Sequence, residues 1–185
     1  YEQNKLFGKL TWQLKPSLRL MQSVSDELWV SPQIPTRVSP FDATQRLHAH
    51  VTTMTLGHLT QTLSANTVWD VRVGRFVYVR NDDPSSGDFT TPNRFDRVTG
   101  VNSGAPQQIA GLTLVRTTAK ATLTHYQRGS FGASHEFKAG TQVENGLHTQ
   151  PAIIPSGVRF IDNNGQPFRA VSRDPAVSGG KFNSV

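Results

Sequence analysis

The sequence predicts an all-β protein, an antiparallel up-and-down segment of a transmembrane β-barrel with about six strands. Three observations predict this fold class. Six segments alternate apolar and polar residues with a period of two. Short turns and long loops join these segments in strict alternation. Only 17% of the 185 residues are charged, whereas charged residues make up roughly 25% of an ordinary soluble domain.

Composition excludes several other classes. The chain has no cysteine, which excludes a disulfide framework and a thiolate zinc site. No stretch approaches about 18 consecutive apolar residues, so no transmembrane helix is predicted. The chain starts at Tyr1 without a signal-peptide pattern, and we expect any such peptide to have been removed or to lie outside this segment. The 19 Lys and Arg residues are scattered, so no nucleic-acid partner is predicted.

The first predicted hairpin covers strands 4–14 and 18–28. Apolar residues occupy alternate positions of the first strand and polar residues the positions between them. Pro16 lies in the turn, where a fixed φ and a missing N–H donor are favourable. The apolar set is Leu6, Leu10, Trp12, Leu14, Leu18, Leu20 and Val24.

Two further hairpins are predicted, with strands 46–63 and 67–80, and 115–127 and 134–144. In strand 46–63, His48, His50 and His58 share the polar parity, while Met54 points to the wrong face for an apolar residue. We therefore expect a β-bulge that changes the register within this strand, at a position that the sequence does not reveal.

Long loops are predicted over 29–45, 81–111 and 145–185, the last with at most short strands near 158–161 and 168–171. A two-residue hairpin turn is predicted within 163–166, which reads Asn-Asn-Gly-Gln. Loops of this length usually carry function. Short turns at one end and long loops at the other are typical of outer-membrane barrels, with periplasmic turns and extracellular loops.

The two faces of the predicted sheet differ in chemistry. Because hydrocarbon cannot satisfy backbone polar groups, a membrane sheet closes and presents one apolar face to lipid and one wet face to the lumen. Trp12 and Trp69 have the lipid-facing parity and lie about three residues from a short turn, so we expect them in an interfacial aromatic belt; the alternative is ordinary cross-strand packing. The predicted lumen-facing residues are Asp70, Arg72, Lys120, Glu136 and Lys138.

The chain contains, in order, the segments Trp69-Asp70-Val71-Arg72-Val73-Gly74-Arg75-Phe76, Asn81-Asp82-Asp83-Pro84 and Ser134-His135-Glu136-Phe137-Lys138-Ala139-Gly140. Taken together, these segments resemble the barrel of TonB-dependent outer-membrane receptors. The similarity is greatest to the Oar-like group, whose members carry an N-terminal carboxypeptidase-regulatory-like domain. It covers roughly 4–145 and includes the opening Gly8-Lys9-Leu10-Thr11-Trp12 strand.

The resemblance implies that residues 1–185 form part of a larger receptor barrel in a bacterial cell outer membrane. In that family a plug domain fills the barrel, and the periplasmic protein TonB acts on the plug so that a bound ligand is imported. The implied partners are therefore outer-membrane lipid, the receptor's own plug domain and TonB, and an unknown small-molecule, peptide or carbohydrate ligand. Six strands alone enclose too narrow a lumen for a plug.

Candidate ligand contacts lie in the predicted loops, and no cofactor, metal site or enzymatic activity is predicted. Ser134, His135 and Glu136 are consecutive and point to alternate faces, so they cannot form a catalytic triad. His58 stands some 25 Å along the strand from His50, too far to share a zinc ion, and turn chemistry accounts for the acidic loop residues without calcium. The candidate ligand contacts are Trp29, Phe41, Arg80, Asp82, Phe89, Arg94, Phe95 and Arg97.

Two alternatives remain at the level of sequence. The first is a soluble secreted β-sandwich, which would bury two sheet faces against each other and use exposed aromatic residues to bind carbohydrate. The second is a porin or adhesin segment without energy coupling, which shares the physics of the barrel.

Overall fold

The computed structural model describes residues 1–130, 132–172 and 176–184, and it confirms an all-β protein with an antiparallel sheet. Two short 3-10 helices, Phe41–Ala43 and Pro155–Gly157, interrupt the connections. Within the described residues, no helix has the length and apolar character needed to cross a membrane. The strands are Glu2–Lys15 (β1), Leu18–Pro32 (β2), Gln45–Ser64 (β3), Thr67–Pro84 (β4), Asn93–Asp96 (β5), Asn102–Ser103 (β6), Ile109–Ser130 (β7), Ala133–Ile153 (β8), Val158–Asn163 (β9), Gln166–Ser172 (β10) and Ala176–Ser184 (β11).

Seven strands form one large sheet in the order β1-β2-β3-β4-β7-β8-β11, and each pairs antiparallel with its neighbour. Strands β1 and β11 are its edges, so this sheet is open and does not close into a barrel. A four-stranded sheet has the order β10-β9-β5-β6. Strand β5 pairs in parallel with β9, and this pairing joins the connection after β4 to the connection after β8.

The six predicted strands are present, but most of them run further at the loop end than the sequence indicates. Strand β2 ends at Pro32, β4 ends at Pro84, β7 begins at Ile109 and β8 ends at Ile153. The predicted loops 29–45 and 81–111 are therefore too long, and 145–185 is not a loop, since it holds the end of β8 and strands β9, β10 and β11. The reason is that ladder hydrogen bonds link backbone groups, so pairing continues where side chains stop alternating.

The large sheet has a short-turn end and a loop end. Turns at 16–17 and 65–66, and the one between Ser130 and Ala133, lie at the first end, and the connections after β2, β4 and β8 lie at the second. Buried residues occur only towards the loop end: none of the residues 1–42, 50–83, 112–129 and 132–145 is buried. The small core includes Ala43, Ala49, Ala105, Ile109 and Ile154. The half of the sheet beside the turns is a single layer.

Strand β3 contains the β-bulge that the sequence leaves unplaced. Thr55 pairs with Gly74 and Gly57 with Val73, so Leu56 has no counterpart in β4. The pairing with β2 shifts at the same place. One extra residue reverses the facing of all residues beyond it.

The bulge corrects the predicted faces of β3. Met54 pairs with Val24 and Arg75 and therefore shares their apolar face. His48 and His50 lie on that same face, opposite His58, so the prediction that the three histidines share one face is wrong.

Pairing across the ladder defines the two faces of the large sheet, because directly paired residues point to the same side. The apolar face contains the row Trp12, Leu20, Leu59, Val71, Ala121 and Thr141. The polar face contains the neighbouring row Gln13, Arg19, Thr60, Asp70, Thr122 and Gly140.

The predicted turn within 163–166 is confirmed. Asn164 and Gly165 have φ angles of 53° and 79° between β9 and β10. Two successive positive φ angles define the tight turn that suits the twist of a hairpin, and Asn-Gly is the pair that tolerates them best.

Candidate functional site

Asp70 is the centre of a hydrogen-bonded cluster on the polar face. Its Oδ1 atom accepts a hydrogen bond of 2.7 Å from Arg72 Nε, and its Oδ2 atom lies 2.6 Å from His58 Nε2. The Thr60 hydroxyl donates to the same Oδ2 atom at 3.2 Å. A carboxylate held by three neighbours on one strand face is a fixed polar feature of this surface.

The other residues predicted to face a lumen share this face with Asp70 and Arg72. Lys120 is paired with Arg72, Glu136 with Tyr126, and Lys138 with Thr124. No described carboxylate lies within ion-pair distance of Lys120 or Lys138. The polar face therefore has free positive charge beside the turn end.

The apolar face is uncovered beside the turns. Trp12 and Trp69 are 40% and 39% exposed on this face, in adjacent rows rather than in the same row. In the half of the sheet nearest the turns, Lys15, which pairs with Leu18 at the first turn, is the only Asp, Glu, Lys or Arg on this face among the paired, described residues. Its other exposed large apolar residues there are Leu10, Leu14, Leu63, Leu123, Phe137 and Val143.

A second cluster of one Asp, one His and one Thr lies on the apolar face towards the loop end. Asp26 Oδ1 lies 2.7 Å from His50 Nε2 and accepts a 2.7 Å hydrogen bond from the Thr52 hydroxyl. Sequence reasoning missed it, although the repeated His-x-Thr pattern at 50–52 and 58–60 was the available signal. The bulge places the two His-x-Thr segments on opposite faces.

A pocket of about 290 Å³ opens at the loop end of the polar face. Ser31, Leu47 and Asp82 are successive partners across β2, β3 and β4, so their side chains share one row. The remaining lining residues are Pro32, Gln33 and Gln45. This pocket contains Asp82, one of the residues predicted to contact ligand.

Arg80 and Asp82 form an ion pair of 3.1 Å beside this pocket. The Nε atom of Arg80 and the Oδ1 atom of Asp82 are buried without a hydrogen-bond partner in the described structure. Burial raises the pKa of Asp82, and the Arg80 guanidinium opposes the shift. Both residues lie in the extended β4 rather than in the predicted loop, because the ladder continues to Pro84.

Aromatic residues predicted to contact ligand are spread over the loop end. Trp29 lies in β2, on the polar face, with its ring 6.3 Å from that of Tyr1. Phe41 begins the first 3-10 helix and is exposed. Phe89 lines a separate pocket of about 210 Å³ together with Ile109 and Asp82. The structure brings Asp82 together with Arg80 and Phe89, whereas Phe41 lines a further pocket with Tyr1 and Pro32.

The remaining predicted contacts hold the four-stranded sheet together. Arg94 lies in β5 and donates two hydrogen bonds to Asp162, of 2.9 and 2.6 Å, while its guanidinium lies over the Phe160 ring. Phe95, also in β5, pairs with Asn102 and Ile161. Arg97 donates to Asn163 and its guanidinium lies 4.2 Å from the centre of the Phe168 ring.

Asp96 joins the two loops that form this small sheet. Its carboxylate accepts hydrogen bonds from the backbone N–H groups of Val98 and Thr99, and also from those of Asn164 and Gly165. The Gly165 and Thr99 bonds lower its pKa to about 2. The sequence shows only an Asp before a turn, because the hairpin that it reaches is 68 residues away.

Chemically, the described residues present one polar face, one uncovered apolar face and pockets at the loop end. In the ranges that the structure covers, no group of three or more His, Asp or Glu side chains is arranged to hold a metal ion. No protein-family model, no curated protein and no solved structure matches the chain.

Proposed function

We propose that the chain is a section of the barrel of a TonB-dependent outer-membrane receptor, which binds a ligand outside the cell and imports it. In this proposal the apolar face contacts lipid, the polar face lines the lumen and contacts a plug domain, and the loop end faces the exterior. The open edges of β1 and β11 pair with further strands of the barrel.

One observation carries this proposal: between the turn residue Lys15 and Arg75, the paired residues of the uncovered apolar face include no charged side chain in the described structure. A sheet in water must bury its apolar face against a second layer. Here the residues of that face are exposed, as Leu10 at 60% and Phe137 at 59% illustrate. Burial of apolar surface contributes about 25 cal/mol per Å², so a lipid environment supplies the stabilisation that a second layer supplies elsewhere.

The height of this apolar surface also supports a membrane. On β4 it runs from Thr67 to Gly74 and ends at Arg75. On β1 the corresponding surface runs from Gly8 to Leu14, because Leu6 in the next row is paired with Asp26. Seven or eight residues span roughly 23 to 26 Å along a strand, comparable to the apolar band of about 25 Å on an outer-membrane barrel.

The polar face supports a lumen. The ion-paired cluster around Asp70 and the free cations Lys120 and Lys138 require water or a polar partner, since an unpaired buried charge is costly. The two sheets do not form a sandwich, because no residue of the single-layer half is buried. These features favour the barrel section over the soluble carbohydrate-binding sandwich.

Cysteine accessibility tests this proposal directly, because the natural chain has no cysteine. Four single variants are made in the full chain: Leu10→Cys and Leu123→Cys on the apolar face, and their neighbours Thr11→Cys and Thr122→Cys on the polar face. Each is refolded into phosphatidylcholine vesicles and reacted with a charged, water-soluble maleimide. We expect the apolar-face thiols to react about tenfold or more slowly than the polar-face thiols, because lipid excludes the reagent.

The unfolded variants in urea supply the reference rates. Equal rates for Leu10→Cys and Thr11→Cys in vesicles would contradict the proposal. A chain that stays monomeric in water without lipid, and whose two apolar-face thiols are protected there as well, would favour the soluble sandwich, which buries that face.

A further inference from the structure

The pocket on the polar face at the loop end has no net charge and many hydrogen-bonding groups. Among the described residues that line it, Asp82 is the one ionic group, and its carboxylate forms an ion pair with the guanidinium of Arg80 on the same face of β4. A free anion would meet the Asp82 carboxylate, and a free cation would meet Arg80. Neutral hydroxyl groups suit such a pocket, since each donates one hydrogen bond and accepts up to two.

Two glutamine side chains leave hydrogen-bonding capacity unused. Gln33 Oε1 accepts a hydrogen bond from the Gln45 backbone N–H, and Gln45 Nε2 donates to the carbonyl oxygen of Gln108. The Nε2 group of Gln33 and the Oε1 atom of Gln45 therefore have no partner in the described structure. One can donate to a ligand and the other can accept from it.

The ion pair is also incompletely satisfied. Asp82 Oδ1 and Arg80 Nε are buried and lack partners, and buried polar groups in native proteins are nearly always hydrogen-bonded. Asp82 lines the pocket, so a ligand hydroxyl that enters beside its carboxylate can supply the missing donor.

An aromatic surface lies beside these polar groups. Trp29 precedes Ser31 by two residues on the same face of β2, about 6.6 Å along the strand. Its row partners are Ala49 and Arg80, so it stands next to the ion pair. An indole face packs well on the C–H surface of a sugar ring, while the polar groups bind the hydroxyls.

We propose that this pocket binds one neutral sugar ring. Asp82 and Arg80 bind adjacent hydroxyls, Gln33 and Gln45 bind further hydroxyls, and Trp29 packs on the ring. The volume of about 290 Å³ is at the lower end for ligand pockets and suits a ligand of one ring. That the sugar is imported rests on the proposed function. That the pocket binds a sugar does not, because binding requires no membrane.

Fluorescence of Trp29 measures this binding. The full chain with Trp12→Phe and Trp69→Phe retains Trp29 as its only tryptophan, and it is refolded in detergent and titrated with glucose and with N-acetylglucosamine. We expect a saturable change in emission with at least one of these sugars.

Asp82→Asn is the informative variant, and Asp83→Asn is its matched control. Asp83 is the next residue of β4 and lies on the opposite face. Loss of a charge-assisted hydrogen bond weakens binding about tenfold or more in Asp82→Asn, whereas Asp83→Asn stays within about twofold. Gln33→Ala, at an exposed position with little effect on folding, weakens binding about threefold to tenfold.

Circular dichroism confirms that each variant is folded before it is titrated. The proposal is overturned if neither sugar changes Trp29 emission, if Asp83→Asn weakens binding as much as Asp82→Asn, or if a glycine-serine oligopeptide binds where both sugars fail. Failure here leaves the maleimide rates in vesicles unchanged, so it is distinguishable from failure of the barrel proposal.

Discussion

The side-chain amide of Gln22 donates a 2.9 Å hydrogen bond to the backbone carbonyl oxygen of Leu56, the extra residue of β3. A bulge residue loses its partner in the ladder, and Gln22 supplies one from the neighbouring strand. This contact stabilises the bulge. The bulge in turn places the side chains of Met54 and His50 on the apolar face.

Replacement of Gln22 by leucine therefore destabilises the sheet despite its added apolar surface. Gln61→Leu is the matched control, because Gln61 lies on the same face and its side chain makes no such bond. We expect Gln22→Leu to be about 1 kcal/mol less stable than Gln61→Leu, measured by urea unfolding in detergent. Equal free energies of unfolding would show that the bulge does not depend on this amide.

Gly104 has a φ of +72°, and a Cβ atom there would lie 2.3 Å from the carbonyl oxygen of Pro92. Gly100 has the same φ with open space around it. We expect Gly100→Ala to cost about 1 kcal/mol through its φ alone, and Gly104→Ala about 2 to 4 kcal/mol because backbone must also move. The backbone N–H of Asp96 donates a hydrogen bond to the carbonyl oxygen of Val101, across the turn that contains Gly100. The exchange rate of this amide measures the loss of stability in both variants. Equal exchange rates in the two variants would contradict the close approach.

The carboxylate of Asp96 predicts a pH dependence. Its pKa falls from 3.8 to about 2 in the folded chain, so the unfolded state binds the proton more readily. The stabilisation is complete above about pH 4 and is lost as the pH falls towards 2. We expect the protection of the Gly165 amide, the factor by which it exchanges more slowly than an unstructured amide at the same pH, to fall over this window, and Asp96→Asn to abolish that fall.

Asp88 provides the control for this titration. Hydrogen bonds from Thr91 and Thr90, within its own turn, also lower its pKa. Asp88→Asn should therefore leave the exchange of Gly165 unchanged. An unchanged pH profile in Asp96→Asn would mean that another group controls the hairpin.

Arg94 is predicted to act in structure rather than in ligand contact. Its two hydrogen bonds to Asp162 match the planar fork of a guanidinium, which lysine cannot reproduce. We expect Arg94→Lys to lower the stability of the four-stranded sheet by about 1 kcal/mol and to leave binding of sugar at Asp82 unchanged. Arg169→Lys is the control, because Arg169 lies in β10 of the same sheet, is exposed and makes no side-chain hydrogen bond in the described structure. A loss of sugar binding in Arg94→Lys would show instead that Arg94 contacts the ligand.

Period-two alternation predicted the strands wherever one face differs from the other. It works over Leu6–Leu14 and Trp69–Val73, where the two faces differ in polarity. It fails at 81–84, where Asn81, Asp82, Asp83 and Pro84 contain no apolar alternation, although the backbone ladder continues to Pro84. The local Asn164-Gly165 turn was predictable because its signal lies in two adjacent residues.

Features that depend on distant residues were not predictable. The bulge at Leu56 adds one ordinary residue without any compositional mark. Strand β5 is four residues long and pairs with β9, more than 60 residues later in the chain. Arg94 and Phe95 therefore resembled free loop residues in the sequence, whereas tertiary pairing makes them part of a sheet.

Tryptophan quenching in vesicles tests whether the face containing Trp12 and Trp69 contacts lipid. The Trp29→Phe chain reports on these two residues, and the Trp12→Phe/Trp69→Phe chain reports on Trp29 at the loop end. We predict that lipids with brominated acyl chains strongly quench Trp12 and Trp69, while acrylamide in the aqueous phase quenches mainly Trp29. Acrylamide quenching of Trp12 and Trp69 as efficient as that of Trp29, with no effect of brominated lipid, would contradict the account.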